Sequence, residues 1–246
     1  MITFTGKEIP SFLKVTGITF PVLGEVSVQE SEIPRRIGNV DNGVKFGAKQ
    51  IKISVLFVPI PNKTIHDQAD LLKEWLMGDN WKVGKLVFSE QSNKYIVGRF
   101  ANNIEIEDLF IAGQGELEFR ASDPIKYDSQ STSKSSSSGN LVIEYTGLEK
   151  APTVFTVQMT QGVENFTIEH VQTGKKLSLL GNFLTGQTIV IDSNKKIAKL
   201  NGQTQMKLVD LENDWLYLQK GTNTFKFKSN DNNKINDFQL TYTKAD

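Results

Sequence analysis

The chain has 246 residues, a mass of 27.5 kDa, and 28 basic against 28 acidic side chains, for a formal charge of zero. Its 38% hydrophobic and 23% charged residues exclude a chain that is disordered throughout. The lack of any cysteine excludes a disulfide scaffold, a thiolate zinc site and a cysteine nucleophile. No apolar run approaches the ~20 residues of a membrane-spanning helix, so no membrane insertion is expected. The opening residues, Met1 to Gly6, lack the basic and apolar regions of a signal peptide.

The first clear strand is Gln50 to Val58, which alternates and then turns continuously apolar, as a strand does on passing into a core. A helix is predicted from Thr64 to Met77. Thr64 and Asp67 form a variant of the capping box at its start. Ile65, Ala69, Leu72 and Leu76 recur at helical spacing, Leu71 and Trp75 broaden the stripe, and Gly78 is a plausible stop. Leu86 to Phe88, Tyr95 to Phe100 and Gly115 to Arg120 read as further strands, with a turn at Ser89 to Asn93.

Ser129 to Asn140 reads SQSTSKSSSSGN and has no apolar residue. Such a stretch buries too little to offset its ordering entropy, so a flexible linker is expected between domains at 1–128 and 141–246. Residues 1–128 carry 15 basic and 17 acidic groups, and residues 129–246 carry 13 and 11. Neither half has the charge of a nucleic-acid-binding domain. Beyond the linker, strands are predicted at Leu141 to Tyr145, Thr153 to Met159, Phe166 to His170, Lys176 to Leu180, Gln187 to Ile191, Lys196 to Leu200, Trp215 to Leu218, Thr224 to Phe227 and Phe238 to Tyr242. Short strands at this spacing, cut by turns such as Asn201-Gly202, indicate a sandwich or jelly roll. The fold class is therefore mainly β, with a single helix in the N-terminal half.

Reactive centres are scarce. His66 and His170 have no second histidine at metal-ligand spacing and read as surface or turn residues. No GxSxG, P-loop or GxGxxG occurs. Glu105 with Glu107, and Glu116 with Glu118, would share a strand face about 6.8 Å apart, the one pattern compatible with a cell-wall glycosidase. Alternating charge equally marks a wet strand face. Asp231, Asn233 and Asp237 crowd one loop, but Ile235 breaks the EF-hand order. No cofactor or metal is expected. A carbohydrate-binding adhesion module is the other alternative, because Phe183, Trp215, Tyr217, Phe225, Phe227, Phe238 and Tyr242 would offer rings for stacking if they faced outward. Their alternation with Leu216 and Leu218 puts much of this set in the core.

The segment Gly115 to Tyr127, GELEFRASDPIKY, resembles a signature of the siphophage distal tail proteins, known as Dit. Its elements are Phe119, Asp123, Pro124 and Tyr127. Phe119 anchors the strand, Asp123 bonds to amides beyond it, Pro124 ends ladder pairing, and Tyr127 covers the exit. Ala151-Pro152 before a strand, Val190-Ile191-Asp192, Asn201-Gly202, and Asp41-Asn42-Gly43 before the Gln50 strand are similar to the family pattern. Leu218 to Asn223 resembles the family's Leu-x-Pro-Gly-x-Asn turn through Gly221 and Asn223, with Lys220 in place of proline.

The resemblance implies a non-enzymatic virion protein at the tail tip, assembled in the bacterial host cytoplasm. It implies a homo-hexameric ring acting as baseplate hub. The N-terminal domain would be a β-sandwich-like ring domain that docks on the tail-tube protein. The C-terminal domain would be a galectin-like β-sandwich presenting a surface to receptor-binding or other baseplate proteins, with a tail-tip lysin or tape-linked hub protein beneath. DNA would pass through without specific binding, so a neutral or acidic lumen is expected, with Glu105, Glu107 and Asp108 as candidate contributors. A closed ring needs heterologous contacts. Val26 to Gly47 is the candidate arm, with Ile33, Pro34, Arg35, Arg36 and Ile37 as interface candidates and a turn at Asp41 to Gly43.

Overall fold

The computed structural model describes residues 1–77, 82–102, 112–229 and 236–246. They divide into two compact units, residues 1–126 and 127–246. In the first unit the strands are β1 (Ile2–Phe4), β2 (Lys7–Glu8), β3 (Leu13–Thr19), β4 (Val26–Ser31), β5 (Val40–Phe46), β6 (Lys49–Phe57), β7 (Gly84–Phe88), β8 (Lys94–Phe100) and β9 (Gln114–Ala121), and the helix is α1 (Ile65–Met77). Antiparallel pairing runs β3-β6-β9-β8-β7-β1-β2. The strands β4 and β5 pair with each other as a separate two-stranded ribbon.

Alternation explains the core of this unit. Along β6, Ile51, Ile53 and Val55 point inward, and Leu117 and Phe119 do so on the adjoining β9. The helix closes over them with Leu72, Trp75 and Leu76. Phe4, Trp75 and Phe119 meet edge to face at centroid distances of 5.1 to 6.1 Å, a favoured geometry for aromatic rings. The Trp75 indole N–H donates to the Lys7 carbonyl at 3.1 Å, so its one polar atom is satisfied. The helix start is the expected capping box. The Thr64 hydroxyl accepts the Asp67 N–H at 3.1 Å, and the Asp67 carboxylate accepts the Thr64 N–H at 2.9 Å. These bonds with Thr64 hold the Asp67 carboxyl below its ordinary pKa. Ile65, expected on the buried stripe, is exposed instead, and Gln68 is the first residue of α1 to be buried. Gly78, the expected stop, lies outside the described residues.

The second unit holds β10 (Lys126–Ser136, entered from the first unit's last residue), β11 (Asn140–Tyr145), β12 (Ala151–Gln158), β13 (Val163–His170), β14 (Lys175–Phe183), β15 (Thr188–Asp192), β16 (Ile197–Leu200), β17 (Gln203–Thr204), β18 (Tyr217–Leu218), β19 (Gly221–Ser229) and β20 (Asp237–Ala245). One sheet runs β10-β20-β12-β15-β16-β17, and the other runs β11-β19-β13-β14. Their inner faces share one core, in which Phe155 meets Phe225 at 5.2 Å and Phe166 stacks on Phe227 at 5.0 Å. This is the expected sandwich.

The serine-rich stretch corrects an expectation. Ser129 to Asn140 was expected as a flexible linker, yet it supplies most of β10 and the first residue of β11. Its order comes from the backbone. Ser131 to Ser136 pair in register with Thr243 to Phe238 of β20, and the Ser133 hydroxyl bonds to that of Thr241 at 2.8 Å. Composition measures burial by side chains and is blind to a ladder made by main-chain groups.

Candidate functional site

The site candidates fall into three groups. The first is the motif where the units meet in sequence. Phe119 is fully buried. The Asp123 carboxylate accepts the Ile125 N–H at 3.1 Å, the short loop its side chain was expected to make. Pro124 sits between the end of β9 and the start of β10, where no ladder donor is needed. Tyr127 is half-buried and pairs with Ala245.

The second group is the turn between β18 and β19. Gly221 has φ +97°, a conformation that L side chains rarely adopt. Asn223 is buried. Its amide oxygen accepts the Gln219 N–H at 2.8 Å, and its NH2 donates to the carbonyls of Gln219 at 2.7 Å and Gly221 at 2.8 Å. One side chain therefore closes the turn that contains Lys220. His170 stacks on Phe225 nearby in the same sheet, at 4.7 Å. Of the expected surface or turn position, the surface is corrected and the turn holds: His170 is buried where β13 enters a turn, its carbonyl accepting the Thr173 N–H at 3.3 Å and its Nδ1 against the Thr173 hydroxyl at 2.9 Å. Burial lowers its pKa, opposed in part by the Asn223 side chain.

The third group is the arm. Two bonds close its root: the Glu25 N–H donates to Ala48 at 3.0 Å, and the Gly47 N–H donates to Glu25 at 2.6 Å. A Cβ on Gly24 would lie 2.2 Å from the Gly47 oxygen, so only glycine allows the two legs this close. Beside the root lies a groove of 480 Å³ lined by residues that include Pro21, Leu23, Glu25, Lys52 and Arg120. At the far end the Arg36 N–H donates to the Ile33 carbonyl at 3.1 Å, with Pro34 and Arg35 between. Arg35 has φ +69°, as the third residue of a type II turn requires. Ile33 and Ile37 are exposed, Ile37 completely.

The expected turn at Asp41 to Gly43 is elsewhere. Those residues lie inside β5, where the pairing shifts between Val28 and Glu30 and the strand carries one extra residue. Gly43 adopts φ +102° and donates its N–H to the Asp41 carboxylate at 2.7 Å. An Asp-Asn-Gly triplet satisfies a bulge as well as a hairpin turn, because both need a positive φ. Sequence reading also passed over the sides of the arm. Val26 pairs with Phe46 and Val28 with Val44, and all four are more than half exposed. Their i, i+2 spacing was the available signal.

The residues named for the chemical alternatives fall only partly among the described ones. Glu116 is paired with Lys52 at 2.8 Å on an outward face. Glu105, Glu107 and Asp108 lie outside the described residues, as do Asp231 and Asn233. Of the rings named for sugar stacking, Phe183, Phe225, Phe227 and Phe238 are in the core and Trp215 and Tyr242 pack against it, while Tyr217 is half-buried with its hydroxyl donating to the Ser193 carbonyl at 3.2 Å. No group of three His, Asp or Glu side chains capable of holding a metal occurs among the described residues.

Comparison with known proteins follows the same division. The phage tail protein RIFT-related domain matches residues 9–121, and the siphovirus-type tail component C-terminal domain matches residues 146–245. The distal tail protein of Bacillus phage SPP1 is 28% identical over 143 residues, a stretch that spans 57% of this chain and 56% of that protein. The crystal structure of SPP1 Dit, described as a paradigm of the hub of the adsorption apparatus in phages infecting Gram-positive bacteria, superposes with a TM-score of 0.81. That likeness covers 100% of this chain and 98% of the other at 15% identity, and is one of fold. A chain of the activated phage P2 baseplate gives a TM-score of 0.52 at 9% identity, covering 95% of this chain and 91% of the other. The chain belongs to the siphophage distal tail protein family.

Proposed function

We propose, from this chain's membership of the siphophage distal tail protein (Dit) family, that it is a structural hub of the tail tip. Six copies form a closed ring at the distal end of a long non-contractile tail. The first unit builds the ring and docks on the tail-tube protein. The second unit presents its sandwich to receptor-binding or other baseplate proteins, and a tail-tip lysin or tape-linked hub protein lies beneath.

The observation that carries this reading is the arm. A two-stranded ribbon is marginal alone in water, and one with apolar side chains exposed along its length needs a cover. A ring supplies such a cover to every subunit through one repeated heterologous contact. The tip residues Ile33, Pro34, Arg35, Arg36 and Ile37 combine apolar surface with two fixed positive charges, a mix suited to a neighbouring protein surface. The genome passes through the opening without being held. Phosphate contacts by Lys and Arg would retard it, so the lumen is neutral or acidic.

Negative-stain electron microscopy of the concentrated protein, alone and with its tail-tube protein, tests the reading. Open six-fold rings support it. Particles that remain single, with and without the tube protein, refute it.

A further inference from the structure

The outer face of the second sheet of the sandwich carries more positive charge than it neutralises. Alternation turns Phe225 and Phe227 of β19 into the core, so Thr224, Lys226 and Lys228 stand on the solvent side. Beside them β13 presents Thr167 and Glu169, and β14 presents Lys176 and Ser178. The registers place Glu169 directly between two lysines, opposite Lys226 on one side and Lys176 on the other. In the next row Lys228 is opposite Thr167, whose hydroxyl bonds to that of Ser178 at 2.8 Å. The Glu169 carboxylate takes its ion pair from Lys228. That bond, with the charges of Lys176 and Lys226 close by, holds the Glu169 carboxyl below its ordinary pKa. The Lys176 and Lys226 side chains are exposed and form no ion pair among the described residues. One carboxylate therefore answers three ammoniums. Other acids of this sheet and its border are engaged elsewhere, Asp214 with Lys175 at 2.9 Å and Glu144 with the Thr222 hydroxyl at 2.5 Å.

We propose that this face, centred on Lys176, Lys226 and Lys228, binds a linear phosphodiester polymer whose phosphates are joined by a polyol. Neighbouring strands lie about 4.8 Å apart and alternate residues of one strand about 6.8 Å apart, so the three lysines are rooted roughly 7 to 12 Å from one another. Flexible stems at that spacing can reach successive charges of an extended chain. The residue type favours phosphate over carboxylate. Lysine meets phosphate as a point charge, whereas bidentate capture of a carboxylate is suited to arginine. All four arginines, Arg35, Arg36, Arg99 and Arg120, lie in the first unit. A protein surface is a poor occupant, because protein interfaces are enriched in aromatic residues, Met and Arg and depleted in Lys and Ser. The large apolar side chains exposed on these strands, Val142 and Leu180, stand apart on the two edge strands β11 and β14. A nucleic acid strand needs rings on which its bases stack, and Phe225 and Phe227 are turned inward. The hydroxyls of Thr167, Ser178 and Thr224 border the lysines and suit the hydroxyl groups of a polyol. Such a contact is reversible and salt-dependent. It gives the second unit a hold on an anionic surface, beyond its part in the hub.

Fluorescence anisotropy of end-labelled poly(glycerol phosphate) titrated with the full chain reads the site. The expected result is binding at low salt that weakens steeply as salt is raised. Lys176→Gln with Lys226→Gln removes two exposed ammoniums and no core packing. It is expected to weaken binding at least tenfold and to make the log–log salt slope shallower by about 1.4, from ~0.7 for each lysine lost. Lys150→Gln with Lys220→Gln takes the same charge from exposed loop positions and is expected to leave the affinity within about twofold. No binding by the unmodified chain at low salt, or an equal loss in the two double variants, overturns the proposal. Tighter binding of polyglutamate of the same length assigns the face to an acidic protein, and tighter binding of single-stranded DNA assigns it to nucleic acid. Either result also overturns the proposal. All of these outcomes are independent of the ring, which is tested by the native mass.

Discussion

Asn223 holds Gln219 at both of its backbone polar groups, accepting the N–H at 2.8 Å and donating to the carbonyl at 2.7 Å. This pair fixes the turn into β19, the strand that runs between β11 and β13 in the second sheet of the sandwich. Replacing Asn223 with alanine leaves the Gln219 groups and the Gly221 carbonyl without this partner in a partly buried setting. The expected cost is on the order of 2–3 kcal/mol, read as a lower urea midpoint for the second unit. Gly221→Ala, which forces a side chain onto a positive φ, is expected to cost about 1 kcal/mol.

His170 makes the second unit acid-sensitive. Burial is the main cause that depresses its pKa, so the folded chain keeps the imidazole neutral where an unfolded chain would protonate it. The linked stability is complete above about pH 6.5, the ordinary histidine value, and declines as pH falls from there toward the depressed folded value. His170→Gln removes this contribution. The difference in melting temperature between the two proteins is expected to change between neutral and mildly acid pH and to be level above neutrality. A difference that is flat across the whole range would show that the burial of His170 is not felt energetically.

Gly24→Ala tests the root of the arm. The added methyl meets the Gly47 oxygen and must push the legs apart. The outcome expected is a ring that dissociates at higher protein concentration than the unmodified one. Its first unit should keep its far-ultraviolet spectrum, because the β6-β9 core lies outside the strained contact. Light scattering and circular dichroism on the same sample separate the two effects.

Ile33→Asp with Ile37→Asp tests the tip. Both side chains stand in solvent in the isolated chain, so the substitutions remove no core packing. Loss of the hexamer is expected, with the unfolding midpoint that the unmodified chain shows when dissociated by dilution. Hexamers that persist by light scattering would place the tip outside the contact.

Much of this architecture could be read from sequence because periodicity reports burial. Ile51, Ile53 and Val55 alternate, and Leu72 and Leu76 recur at helical spacing, so β6 and α1 declared themselves within a residue or two. Elements held by remote backbone partners did not. β1 and β2 are three and two residues long, and β1 is ordered by β7 more than eighty residues away. β10 has almost no apolar side chain and depends on β20, whose pairing no local window contains. The arm was half legible. Its apolar and cationic tip stood out, but the Asp-Asn-Gly bulge passed for its turn, and the alternating Val26, Val28, Val44 and Phe46 were passed over. A strand pattern says which residues share a side and leaves open whether that side meets the chain's own core or a neighbour.

The most direct test of the ring is the native mass of the purified protein over a range of concentrations. The account predicts a dominant species of six times the 27.5 kDa chain mass, giving way to the single chain on dilution. A single chain at every concentration, unchanged by adding the tail-tube protein, would contradict it.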